Sequence, residues 1–167
     1  MTDAFAPISA FIHGLRFRKL PAQVVHMSRR CLVDLLAVWA SGIATKPSQV
    51  ARNHAARRHG CGPGHDGQPD CVPMPFDGRG VNGVGYAFAG AATIDGVDGH
   101  DGHQHCKGHA GAAVLPALLA ELGGAPTCSL DELLAHLVVG YEIAIRAGLS
   151  LHATAPDYHS SGAWNAL

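Results

Sequence analysis

Apolar residues recur every three or four positions along most of this chain, and the stretches between them are rich in glycine, proline and histidine. Val25, Leu32, Leu35, Leu36, Trp39 and Ile43 share one helical face, which predicts a helix over 21–43 opened by Pro21 and closed near Gly42. A more polar helix is expected over 48–59. The small-residue run "VGYAFAGAATI" predicts a helix over 84–94 suited to close packing, and "AGAAVLPALLAELGG" a buried helix over 110–122 that carries Pro116. Ser129 and Glu132 have capping-box spacing and start a helix over 130–149, with Leu133, Leu134, Leu137, Val138, Tyr141, Ala144, Ile145 and Leu149 on its apolar face. Shorter helices are expected over 5–15 and 161–167. Residues 60–83 have no period and read as loop, or at most short extended pieces; a loop of that length is usually functional or packed against something else. No stretch reads as a sheet, so the expected fold class is all-α.

Composition narrows the classes. Only 15% of the 167 residues are charged and the net charge is −1, which gives no electrostatic reason to expect nucleic acid or an anionic membrane as partner. Arg52, Arg57 and Arg58 read as a solvated helix face. The five cysteines are odd in number and scattered, which argues against a disulfide framework and for a reducing cytoplasm. Asp34 interrupts the longest apolar candidate, and the N-terminus lacks the long apolar core of a signal peptide, so a soluble protein is expected.

The twelve histidines are the anomaly, and four of them fall in "DGVDGHDGHQHCKGH", residues 95–109. A metal site is one reading, since His100, His103, His105, Cys106 and His109 all have ligand chemistry. However, zinc sites normally join two short ligand pairs, and the ten-residue spacing of Cys61 and Cys71 is not a finger spacing. A solvated glycine-rich loop is another. The third is acid–base chemistry: His109 opens a buried helix, whose free N–H groups and dipole attract a carboxylate and disfavour a charged imidazole. Lys107 adds a cation beside it.

The segment "AFAGAATIDGVDGHDGHQHCKGHAGAAVLPALLAELG" resembles the signature region of the MmgE/PrpD family, which runs "AFANG", "LDFDD" and "HPGAAVLPA". Ala87–Ala91, Asp98–Asp101 and His109–Ala117 match these parts in order, with Gly90 for the asparagine, Ala110 for the proline, and one extra residue between the second and third. "LPAQVVHMSRRCLVDLLAVWASG" resembles the family's first long helix, "LLAHLVVGYEIAIRAG" the helix after the signature, and "YHSSGAWNAL" the "FHPTGTWGALG" motif.

The resemblance implies the N-terminal part of a two-domain enzyme with a large helical domain and a smaller lid domain. Family members include 2-methylcitrate dehydratase, cis-aconitate decarboxylase and iminodisuccinate epimerase. They form homodimers and use no metal or other cofactor. Carried over by motif, the catalytic residues are Asp98, His109 and His159, with Asp101 nearby as a further catalytic candidate and either Asp98 or Asp101 facing the cleft; Lys107, His103 and Ser161 are candidates for substrate binding. The expected activity is that of a lyase acting on a small di- or tricarboxylate by proton abstraction next to a carboxylate. Rival expectations are a decarboxylase or epimerase of the same family, a half-site subunit needing a second polypeptide, and a histidine-rich metal-binding module. Because the last helix stops after barely two turns at Leu167 and no lid follows, a fragment, a partly resolved chain or a split subunit is expected.

Overall fold

The computed structural model describes residues 5–61, 71–123 and 128–155. Six α-helices lie among them: α1 (Ala6–Gly14), α2 (Ala22–Gly42), α3 (Lys46–Arg58), α4 (Gly83–Asp95), α5 (Ala110–Leu122) and α6 (Leu130–Thr154). A 3₁₀ turn, Phe17–Lys19, links the first two. The helix expected over 161–167 lies outside the described residues.

Local chemistry sets the helix starts. Thr45 accepts the Ser48 N–H, Asn82 the Gly85 N–H, and Ser129 with Glu132 closes the expected capping box. Helix α5 differs: its N-cap is His109, whose side chain makes no cap hydrogen bond. The first N–H groups of α5 therefore receive no acceptor from His109, and the residues that carry them, Ala110, Gly111 and Ala112, are buried.

Helix α4 is the hub. It packs most extensively on α5 and α3, then on α2, while α6 covers α5 and α2. Gly90 explains how α4 fits: a Cβ there would lie 2.7 Å from Pro116 Cβ and 2.8 Å from Trp39 Cζ2. The position that departs from the family's asparagine is thus where α2, α4 and α5 converge. Leu35, Trp39, Ile94, Leu115, Leu134 and Leu137 form the fully buried centre. At about 1.5–3 kcal/mol for each large side chain buried, this centre supplies much of the driving force for folding.

Several expectations change. Leu36, expected inside, is exposed, as are Met27 and Val33, because the buried stripe of α2 runs through Ser28, Leu32, Leu35, Trp39 and Gly42. Part of the presumed loop is a minimal antiparallel ladder, β1 (Val72–Pro73) with β2 (Gly80–Val81), in register Val72↔Val81. Val72, Met74 and Val81 are buried, so this segment is core. Cys61 and Cys71 are joined by a disulfide, with Cα atoms 6.2 Å apart. That corrects the expectation of unpaired cysteines and removes cysteine usage as a ground for a reducing compartment. Arg52 is not a solvated charge: it donates to Asp77 at 2.5 Å, to the Ile43 carbonyl at 2.8 Å and to Ser48 at 3.1 Å. Finally, among the described residues α6 rather than α2 is long and apolar enough, by length and composition, to cross a membrane; its Leu134, Ala135, Leu137 and Gly148 are buried in the chain itself.

Candidate active site

Helix α4 ends at Asp95, and the chain crosses to α5 through residues 96–109. Two non-glycine residues in this loop, Asp98 and Lys107, take positive φ (47° and 51°). Such conformations are sparsely populated and persist only where the surroundings enforce them. The loop is held at its tip by a bridge between His103 and Gly108, the His103 N–H donating to the Gly108 carbonyl at 3.1 Å. Cys106, fully buried, anchors it: its Sγ lies 2.9 Å from His103 Nδ1, and its carbonyl accepts from His152 Nε2 of α6 at 2.8 Å.

His109 sits where the loop meets α5. Its Nδ1 lies 2.6 Å from the Asp101 carbonyl oxygen. A carbonyl can only accept, so Nδ1 carries the hydrogen and the neutral ring keeps its lone pair on Nε2. That nitrogen faces the Asp98 carboxylate at 3.8 Å. His109 is 31% exposed and Asp98 88% exposed, so this pair lies at the surface and opens outward.

Beneath it the chemistry is buried. The His100 side chain is 0% exposed, and its ring packs on that of His109 with centroids 4.2 Å apart and planes tilted by 45°. Neither His100 nitrogen has a hydrogen-bond partner among the described residues, the nearest acid being Asp95 at 3.6 Å. Burial, reinforced by His109, lowers the His100 pKa against the opposing pull of Asp95, Asp101 and Asp98, so its neutral form is favoured. Asp101 shifts the other way. Burial raises its carboxyl pKa, and the group lies beside the Tyr141 hydroxyl directly over Gly111. Tyr141 in turn faces Cys31, and burial, with Asp101 next, drives the phenol far above its ordinary range. Burial likewise raises the Cys31 thiol, Asp101 adding to the effect. An acid and a base, Asp101 and His100, are thus both pushed towards their neutral forms side by side, a pattern common at proton-transfer sites.

On the α2 side of the loop lies an open cleft of about 810 Å³, lined by His26, Arg29, Arg30, Asp34, His100 and Asp101 among others. Among the described residues, no group of three or more His, Cys, Asp or Glu side chains is arranged to hold a metal ion. The metal-module reading therefore has no donor set in this loop.

The family model of the MmgE/PrpD N-terminal domain matches residues 6–167. The chain belongs to the MmgE/PrpD family. No curated protein and no solved structure matches it. The signature segment of this MmgE/PrpD chain is, in space, α4, the histidine loop and α5, and its loop residues Gly99, His100 and Asp101 face α2 across the cleft.

The expected site residues separate into groups. Asp98 and His109 are brought together, and Asp101 lies behind them, touching His109 through its carbonyl rather than its carboxyl. Lys107 is exposed at the loop tip, and the His103 ring is engaged with Cys106. His159 and Ser161 lie outside the described residues. Sequence reasoning missed Asp34, which accepts the Asp101 N–H at 3.0 Å across 67 positions. It also missed Tyr141 and Cys31 as polar neighbours of Asp101, and the burial of His100 beside the exposed Asp98. The available signal was the position of Asp34, a lone acid next to the apolar stripe of α2, and of Tyr141, a hydroxyl on the apolar face of α6.

Proposed function

We propose that this MmgE/PrpD domain forms part of a lyase site that removes a proton next to a carboxylate of a small di- or tricarboxylate, in the manner of 2-methylcitrate dehydratase. The observation that carries the reading is the 2.6 Å approach of His109 Nδ1 to the Asp101 carbonyl, which assigns the hydrogen to Nδ1 and leaves Nε2, beside Asp98, as the acceptor. In the proposed reaction Nε2 takes the proton from a C–H adjacent to a carboxyl group. The C–H electron pair moves towards that carboxyl group, then forms the C=C bond as the neighbouring C–O bond breaks. The departing hydroxyl leaves as water with a proton from the site. Asp98 balances the imidazolium that forms on His109. Substrate carboxylates are met by Arg29 and Arg30, which line the cleft, and by the exposed Lys107 at the loop tip. Decarboxylation or epimerisation would begin with groups of the same kind, and His159 and Ser161 retain the roles implied by their motif.

A second reading, that the chain is a half-site needing another polypeptide, draws on the open cleft and on the exposed Met27, Val33 and Leu36 of α2. A homodimer is compatible with either. One experiment separates the two. The purified chain is offered a panel of hydroxy-di- and tricarboxylates, alone and with a separately expressed MmgE/PrpD C-terminal half, and unsaturated product is followed by NMR. Turnover by the chain alone defeats the half-site reading. Turnover only in the mixture supports it, and turnover in neither defeats the lyase assignment.

A further inference from the structure

Asp101 makes three connections from one residue. Its N–H donates to Asp34 Oδ2 of α2 at 3.0 Å, its carboxyl lies against the Tyr141 hydroxyl of α6, and its carbonyl accepts from His109 Nδ1 at 2.6 Å. The first connection spans 67 residues and the last spans 8, so the loop residue that sets the His109 tautomer is itself held by two helices remote in sequence. There is no slack around it. A Cβ on Gly111 would collide with the Tyr141 hydroxyl and lie 2.6 Å from Asp101 Oδ1 and 2.7 Å from Leu35 Cδ1. Asp34 and Tyr141 connect to the outward-facing His109–Asp98 pair through Asp101. The loop around Asp101 is irregular, and a free peptide of that composition would sample many carbonyl directions.

We propose that Asp34 and Tyr141 are positioning residues for His109. Through Asp101 they aim one backbone carbonyl at Nδ1 and so reserve Nε2 as the proton acceptor. A carboxylate suits the Asp34 position because it accepts a backbone N–H in a half-buried place, where a charge-assisted bond is stronger than a neutral one. A phenol suits the Tyr141 position because it remains protonated and can donate to the Asp101 carboxyl in either ionisation state of the acid. The arrangement parallels the outer groups that fix the ring orientation and tautomer of functional histidines elsewhere.

The inference rests on the role proposed for His109, but its test does not require activity. Long-range ¹H–¹⁵N NMR of the 167-residue chain, labelled on histidine and assigned with His109→Gln, reports which ring nitrogen carries the hydrogen. The wild type is expected to show one dominant Nδ1–H tautomer at His109. Asp34→Ala and Tyr141→Phe should move its ¹⁵N shifts towards the averaged values of a tautomer mixture. Asp34→Asn, whose amide oxygen still accepts the Asp101 N–H, should restore the wild-type pattern. Circular dichroism confirms that each variant is folded before it is read. A folded Asp34→Ala chain that keeps the pure Nδ1–H signature overturns the proposal, as does a mixed tautomer already present in the wild type. Should the signature behave as expected while no polycarboxylate turns over, the positioning inference stands and the lyase assignment alone fails.

Discussion

Helix α4 has a polar loop at each end, and the two handle buried polar groups in opposite ways. Before α4, Asp77 accepts two bonds from the Arg79 guanidinium, at 2.6 and 2.8 Å, and one from Arg52 at 2.5 Å. Arg52 bonds onward to Ser48, which pairs with Thr93 at 2.7 Å. Among the described residues there, Asp77, Arg79 and Arg52 are all paired, and the hydrogen bonds from Arg79 hold the Asp77 carboxyl well below the usual carboxylate range. After α4, the buried His100 nitrogens have no hydrogen-bond partner among the described residues, and the buried Asp101 carboxyl faces the Tyr141 hydroxyl rather than a guanidinium. Unsatisfied buried groups cost about 1–3 kcal/mol each, so a chain that can pair its charges so fully at one end of a helix gains no stability by leaving them open at the other. The first loop is built for stability. The second keeps an acid and two imidazoles poised, the pattern expected of a site.

Breaking the well-paired loop should have the largest effect on stability. Asp77→Ala removes the shared acceptor of two guanidinium groups and should cost about 2–3 kcal/mol, a value discounted for the partial exposure of Arg79. Urea unfolding measures it, and acid–base chemistry at the other loop should be unaffected. Gly111→Ala strikes the second loop by overpacking against Tyr141 and Asp101 and should cost about 1–3 kcal/mol while disturbing His109. His100→Leu is expected to go the other way, gaining up to about 1 kcal/mol because an unpaired buried imidazole is replaced by a hydrocarbon.

Acid titration separates the loops further. His100 has a pKa lowered from 6.5, so the unfolded chain binds that proton more readily and stability falls as pH drops below this value. Asp77 has a lowered carboxyl pKa, so its contribution is intact above the ordinary carboxylate value of 3.8 and is lost only as pH falls further. Thermal melts across this range should show two descending steps. His100→Leu should abolish the upper one and Asp77→Asn the lower. A single step unaffected by either variant would contradict the distinction.

The helices were legible because apolar periodicity reports them directly. The buried stripe of α2, the Ser129–Glu132 cap and the small residues of α4 are all visible in order. Neighbouring residues in an irregular loop carry no such signal. Nothing in "DGHD" says that Asp98 faces solvent while His100, two positions on, is completely enclosed, since no period ties side-chain direction to spacing there. The Asp34–Asp101 bond joins positions 67 apart, and only the packing of α2 against the loop creates it. Leu36 misled for the opposite reason: it fits the apolar period, but the centre of the buried stripe falls one residue away, at Leu35.

That His109 of this MmgE/PrpD chain acts as a proton acceptor is tested most directly by isotope exchange. The C–H protons next to the carboxylates of a di- or tricarboxylate that the protein binds are followed by NMR in D₂O, with wild type and His109→Gln compared under the conditions that support turnover, including the second polypeptide if one is needed. The expected result is wild-type wash-in of deuterium that slows by about 100-fold or more in the variant, the usual contribution of a positioned base. Equal exchange rates in the two proteins, with the variant folded, would contradict it.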